Sequence, residues 1–280
     1  MISRIDKLKT QLTGDREIPR RKFLRNAVAT AAGVGLLGTK AFGQGKPINA
    51  RDLYEELKKI PELKPIREPV FSKYPYNPII ILIEDLHYSP KEEYKQLEIL
   101  RKKFGINLVG TEGWAGPKAD KKRGFKMNFS EVKKLVNNLH YRIVGLEDPY
   151  LHEFTIKFVA LLIYFKGFKQ PRSKRGASFM LKRDLKIEPT QENIEKIITE
   201  AENFLKINLH RGDKNAYETL KSLTDRFLVE MRNPPAAKLM FEAMKKYHIQ
   251  IGAIVFGKKH ITGLIKELRK LWDFNIIVII

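Results

Sequence analysis

Four apolar runs in this sequence each end in side chains able to hold a metal ion or to move a proton. Imidazole and carboxylate groups bind divalent metals, and the same groups act as general acids and bases. The run ends are Glu84-Asp85-Leu86-His87, Thr111-Glu112-Gly113-Trp114, Gly145-Leu146-Glu147-Asp148 and Gly257-Lys258-Lys259-His260. The sequence therefore offers two histidines, His87 and His260, and two glutamates, Glu112 and Glu147, as candidates for one site.

The four runs have the character of strands buried in a parallel sheet. Each is short, continuous and apolar, which is typical of strands covered on both faces. The predicted strands cover residues 78–85, 107–112, 141–147, 249–256 and 274–280, and the predicted helices between them cover 90–104, 130–139 and 261–272. Strands that alternate with helices predict an α/β fold with a largely parallel or mixed central sheet, flanking helices and a helical insertion.

A parallel sheet would bring the four run ends together. Ligands of open α/β sheets bind beyond the carboxyl ends of the strands, so the four candidate side chains should share one edge. We expect the first strand to lie in the centre of the sheet, between the second and the third.

Each candidate also has a structural explanation when it is taken alone. His87 could cap a helix, and His260 could hydrogen-bond to the backbone in the first turn of a helix. Glu112 and Glu147 could each pair with a surface lysine. The recurrence of such residues at four strand ends favours one shared site over four unrelated cases.

The middle of the chain is helical. Residues 154–168 form a strongly apolar stretch, but Lys157 interrupts it, and a bilayer-spanning helix needs about 20 apolar residues. We therefore predict a buried core helix there. The predicted organisation is a signal segment in residues 1–43, an extended leader in 44–77, and one α/β domain in 78–280 with a helical insertion at 151–247.

The N-terminal segment has the pattern of a twin-arginine export signal. Arg20-Arg21-Lys22-Phe23-Leu24-Arg25 precedes a short, mildly apolar run, and Ala41-Phe42-Gly43 places small residues at alternate positions, as a signal peptidase requires. An ordinary amphipathic helix is the alternative. We therefore expect an exported protein handled by the twin-arginine machinery, with an uncleaved membrane anchor as the second option.

Composition narrows the chemistry further. Cysteine is absent, which excludes disulfides, thiolate metal sites and a cysteine nucleophile. The formal net charge is +21, and residues 1–43, with nine Lys/Arg and three acids, leave +15 on the remainder. Because the basic residues are spread along the chain, we expect a solvated surface and no specific nucleic-acid partner, although an anionic surface remains a candidate partner.

The ordered motifs resemble those of the Tiki superfamily, which includes the TraB, ChaN and erythromycin-esterase-like branches. Its pattern is two G-x-x-H motifs, strand-end glutamates, and an Arg-Asn pair on a helix before the last strands. The matching segments are Glu84-Asp85-Leu86-His87, Val109-Gly110-Thr111-Glu112-Gly113, Gly145-Leu146-Glu147, Glu230-Met231-Arg232-Asn233 and Gly257-Lys258-Lys259-His260-Ile261-Thr262-Gly263. The likeness covers about residues 79–150 and 227–280. The first G-x-x-H departs from the pattern, because Glu84 stands where glycine is usual.

The resemblance implies a metal-assisted hydrolase of a peptide or ester bond, acting on a peptide or small molecule. His87, His260 and Glu112 carry over as ligands of a divalent metal, and Glu112 and Glu147 as candidate general bases. Arg232 carries over as an anion-binding or acid-orienting group, whose planar guanidinium suits a carboxylate. The alternative is a non-catalytic haem- or ligand-binding protein of the ChaN sort, for which Tyr88 and His152 could serve.

Overall fold

The structure, a computed structural model, describes residues 47–85, 90–115, 138–166, 171–209 and 214–279. The signal predicted for residues 1–43 and the candidate ligand His87 therefore lie outside the described residues. In chain order the strands are β1 Ile79–Asp85, β2 Leu108–Ala115, β3 Arg142–Glu147, β4 Ile251–Gly257 and β5 Asn275–Ile279. The helices are α1 Ala50–Lys58, α2 Pro90–Phe104, α3 Pro149–Lys166, α4 Pro171–Met180, α5 Gln191–Leu205, α6 Lys214–Ser222, α7 Thr224–Leu228, α8 Asn233–Tyr247 and α9 Ile261–Leu271.

The five strands form one sheet in the order β3-β2-β4-β1-β5, and every pairing between them is parallel. The predicted α/β fold is thus confirmed. The expected strand order is wrong, because β4 lies between β1 and β2, and the neighbours of β1 are β4 and β5. Local apolarity marks a strand as buried but does not choose its partners, which are set by the packing of the connecting helices.

Helices cover both faces of the sheet. On one face α1 and α2 pack against alternate strand residues such as Ile81 and Val255. On the other face α8 and α9 pack against the intervening residues, among them Leu82 and Phe256. Because both faces are covered, each strand is apolar along its length, as parallel strands usually are.

The leader covers the β5 edge of the sheet. Backbone hydrogen bonds join Val70 to Ile276 in both directions at 2.9 Å, and Ile66 N–H donates to the Val278 carbonyl at 3.1 Å. A buried polar network fastens the end of the leader, where the Asn275 amide donates to the Asn77 carbonyl at 3.0 Å and accepts from the Ser72 N–H at 2.9 Å. The leader therefore satisfies backbone groups that an open edge strand would expose.

Residues 148–232 form a second compact unit, made only of helices and short helical turns within the described residues. Its core contains Phe154, Phe158, Phe204 and Phe227, with ring centroids 4.3 to 5.7 Å apart. The Lys157 ammonium, on the otherwise apolar α3, lies 2.7 Å from the Glu200 carboxylate and 3.0 Å from that of Glu153. No helix within the described residues is both long enough and apolar enough to span a bilayer.

Candidate functional site

The carboxyl ends of three neighbouring parallel strands, β3, β2 and β4, place Glu147, Glu112 and His260 along one edge of the sheet. β4 is the central strand, and its last residue, Gly257, leads into a short 3-10 turn at Lys258–His260. Glu112 lies on β2, directly beside β4, and Glu147 is the last residue of β3, one strand further out. The insertion of β4 between β1 and β2 is therefore what brings His260 next to Glu112.

The Glu112 carboxylate is held by the backbone at the end of β4. Its Oε2 accepts a hydrogen bond from the Gly257 N–H at 2.8 Å. Its Oε1 lies 3.8 Å from Nε2 of His260. The Glu112 side chain is 16% exposed and that of His260 only 6%, so the pair is largely removed from solvent.

His260 is fixed on its other side by Asn233, the first residue of α8. The His260 Nδ1 and the Asn233 Oδ1 are 2.8 Å apart, and both residues are buried. Since the amide oxygen can only accept, the proton of this bond is on Nδ1. The histidine ring also packs edge-on against Phe256, with centroids 4.6 Å apart.

The Asn233 side chain occupies space that is open only because residue 263 is a glycine. A Cβ at residue 263 would lie 2.0 Å from Nδ2 and 2.9 Å from Cγ of Asn233. The first turn of α9 thus approaches the asparagine more closely than any side chain would allow. The final glycine of the G-x-x-H-x-x-G sequence therefore accommodates the residue that orients the histidine.

The hydrogen bond to Asn233 determines what His260 presents to Glu112. With the proton on Nδ1, a neutral imidazole directs the Nε2 lone pair toward a carboxylate oxygen 3.8 Å away. Two electron-rich atoms at this separation repel each other unless a cation, either a proton or a metal ion, lies between them. The separation is also less than twice the usual bond length of about 2.1 Å between zinc and nitrogen or oxygen ligands, so one ion could bind both atoms.

The donor set of the described residues fits a metal ion only in part. No group of three or more His, Cys, Asp and Glu side chains suited to a metal occurs among them. Glu112 and His260 supply two ligands, and the third predicted ligand, His87, lies outside the described part of the chain. The divalent metal therefore stays a prediction.

The other residues predicted for the site, Glu147 and Arg232, lie at the end of β3 and at the end of the helical unit. Glu147 is buried at the carboxyl end of β3. Arg232 ends the helical unit, where its Nη1 donates to the Leu228 carbonyl at 3.1 Å, and it directly precedes Asn233 in the chain. Of the haem-ligand candidates, Tyr88 lies outside the described residues and His152 lies on α3 of the helical unit.

The sequence analysis did not give Asn233 a role, although it quoted the residue within the Arg-Asn pair. The signal that could have identified it is an asparagine beside the Pro-Pro pair at 234–235, combined with a glycine three residues after the candidate histidine. Neither residue type is distinctive alone, and their contact spans 30 positions of the sequence.

Comparison of the chain with protein-family models, with curated proteins and with solved structures finds no match. The likeness to the Tiki superfamily therefore rests on the quoted motifs.

Proposed function

We propose that this protein is a metal-assisted hydrolase that acts on a peptide or ester bond. The observation that supports the proposal is the pairing of the Glu112 carboxylate with the Nε2 of His260 at 3.8 Å, at the edge of the sheet where α/β proteins bind ligands. The motif resemblance suggests the same chemistry. The fold alone does not suggest this chemistry, since one α/β architecture hosts many activities.

The chain orients both groups before any ligand binds. The Gly257 N–H holds one oxygen of Glu112, which leaves the other oxygen directed toward His260. Asn233 holds the imidazole in the tautomer with its proton on Nδ1, so that Nε2 faces Glu112. Such outer hydrogen bonds fix the geometry of a site and remove the cost of ordering it when a ligand arrives.

Under this proposal His260, Glu112 and the predicted ligand His87 hold a divalent ion. When bound, such an ion would polarise the scissile carbonyl and lower the pKa of a water molecule to about 7. The buried Glu147 would be the candidate general base. Arg232, which the motif resemblance gives as a donor to a ligand carboxylate, stays a prediction from the sequence.

The test is metal content and hydrolysis measured on untagged protein. We expect about one divalent ion per chain, a loss of about 10-fold to 100-fold in metal affinity or activity in Asn233→Ala, and a larger loss in Glu112→Gln. His260→Ala should lose both metal and activity. The matched control is His248→Asn, which replaces an exposed histidine at φ 54° by a residue that tolerates this backbone region.

Two results would count against the proposal. One is His260→Ala protein that remains folded and keeps the metal and the hydrolysis of chromogenic esters and peptides. The other is purified protein that carries the absorption of haem and hydrolyses none of these substrates, which would support the ligand-binding alternative. Urea unfolding of each variant separates loss of the site from loss of the fold.

A further inference from the structure

A buried carboxylate lies close to the candidate site and is not explained by it. Glu84, near the carboxyl end of β1, is only 4% exposed. Its Oε1 lies 3.2 Å from the ammonium of Lys258, whose side chain is 76% exposed. A buried charge needs a partner of opposite sign, yet this partner is a flexible side chain that lies mostly in water.

Glu84 is on the same face of the sheet as the Glu112–His260 pair. It is in register with Phe256, and Phe256 packs against the ring of His260. Glu112 follows Thr111, which is in register with Val255, so Glu84 and Glu112 lie on the two strands that flank β4. Two inter-strand spacings, about 9 to 10 Å, separate the two backbones.

The strand connections mark this position as a ligand crevice. The helix that follows β1 is α2, which packs on one face of the sheet, whereas the helix that follows β4 is α9, which packs on the other. β1 and β4 are hydrogen-bonded neighbours. The chain therefore leaves their carboxyl ends in opposite directions, and at such a switch point α/β sheets open to bind ligands. Glu84 is the second-last residue of one of these strands, and Lys258 directly follows the other.

We infer that Glu84 binds a primary ammonium group of the ligand, and that Lys258 occupies this subsite when no ligand is bound. A ligand ammonium can take the place of the Lys258 ammonium because the lysine head group is already exposed and returns to water at little cost. Since the inference rests on the proposed function, it narrows the substrate class to peptides or esters that carry a free amine near the bond that is cleaved.

Binding of a simple probe tests the subsite without any hydrolysis. Titration of the full chain with n-hexylamine, and with n-hexanol as the uncharged match, is followed by the amide NMR shifts of Phe256 and Gly257. We expect the amine to bind about tenfold more tightly than the alcohol, a preference that Glu84→Gln abolishes. Lys258→Met should bind the amine more tightly than the wild type, because the internal competitor is gone. Lys270→Met, which removes an exposed lysine paired with Glu267 on α9, is the control and should change nothing.

Equal binding of amine and alcohol by the wild type overturns the inference, and so does an equal loss for both probes in Glu84→Gln. Should Glu84→Gln fail to fold, Lys258→Met decides, since unchanged or weaker amine binding by that variant also overturns it. A second arm compares hydrolysis of matched esters with a free or an acetylated amine. Absence of all hydrolysis would contradict the proposed function but not the amine subsite. Equal hydrolysis of the free and the acetylated ester would contradict the subsite alone.

Discussion

The contact between Gly263 and Asn233 leads to a quantitative prediction for Gly263→Ala. The added methyl would lie 2.0 Å from the Asn233 Nδ2, so the asparagine must move, and its hydrogen bond to His260 must break. Both residues are about 95% buried, so the broken bond leaves polar groups without solvent. Overpacking and an unsatisfied buried group each cost about 1 to 3 kcal/mol, and the better helix propensity of alanine returns about 1 kcal/mol. We expect a net destabilisation of about 1 to 5 kcal/mol.

Urea unfolding of the wild type, Gly263→Ala and Gly176→Ala tests this prediction. Gly176 is the matched control because it also lies within a helix, and a Cβ there would meet only Ile163 Cγ2 at 3.6 Å, an ordinary contact. Gly176→Ala should therefore stabilise the protein by about 0.5 to 1 kcal/mol. The Nδ1–H resonance of His260 should disappear or shift in Gly263→Ala alone. A Gly263→Ala protein with wild-type stability and an unchanged His260 resonance would refute the reasoning.

Further predictions concern the helical unit, export and the leader. Burial lowers the pKa of Lys157, but hydrogen bonds to Glu200 and Glu153 raise it by more, above the ordinary value of 10.5. The stabilisation from Lys157 should thus be complete below pH 10.5 and be lost as the pH rises through the higher folded-state pKa. Urea titrations should show Lys157→Met about 1 to 2 kcal/mol less stable than wild type at pH 7 and closer to it at high pH; a pH-independent gap would contradict this. Replacing both Arg20 and Arg21 by lysine should leave precursor in the cytoplasm upon cell fractionation, and normal export would disprove the twin-arginine interpretation. Asn275→Ala should release the leader and expose β5, detected as faster amide exchange at Ile276, and unchanged exchange there would show that Asn275 does not hold the leader.

The five strands could be predicted from the sequence because each is buried on both faces. The predicted run at residues 78–85 became β1 Ile79–Asp85, and the run at 249–256 became β4 Ile251–Gly257. Short, continuous apolar runs of this length are typical of strands that are covered on both faces of a parallel sheet. The order of the strands could not be read in the same way. Nothing in the composition of β1 indicates that its partners are the last two strands, which lie more than 160 residues later in the chain.

The candidate site was predicted in part. Glu112 and His260 were expected to meet, and the structure places them 3.8 Å apart. By its position after a strand end alone, His260 would contribute little to stability. Its burial and its hydrogen bond to Asn233 argue otherwise, because removal of the ring would leave a buried amide oxygen without a donor. Such side-chain contacts depend on the angle at which α8 and α9 cross the sheet, and no local pattern encodes that angle.

The insertion of β4 between β1 and β2 has a consequence for the nascent chain. β1 receives all its sheet hydrogen bonds from β4 and β5, so the apolar sequence Ile79-Ile80-Ile81-Leu82-Ile83 leaves the ribosome long before either partner is synthesised. Until residue 257 has been made, an aggregation-prone strand stays open on both sides, and until residue 279 it stays open on one side. The sheet can therefore be completed only after β5, the last strand in the chain, has been synthesised.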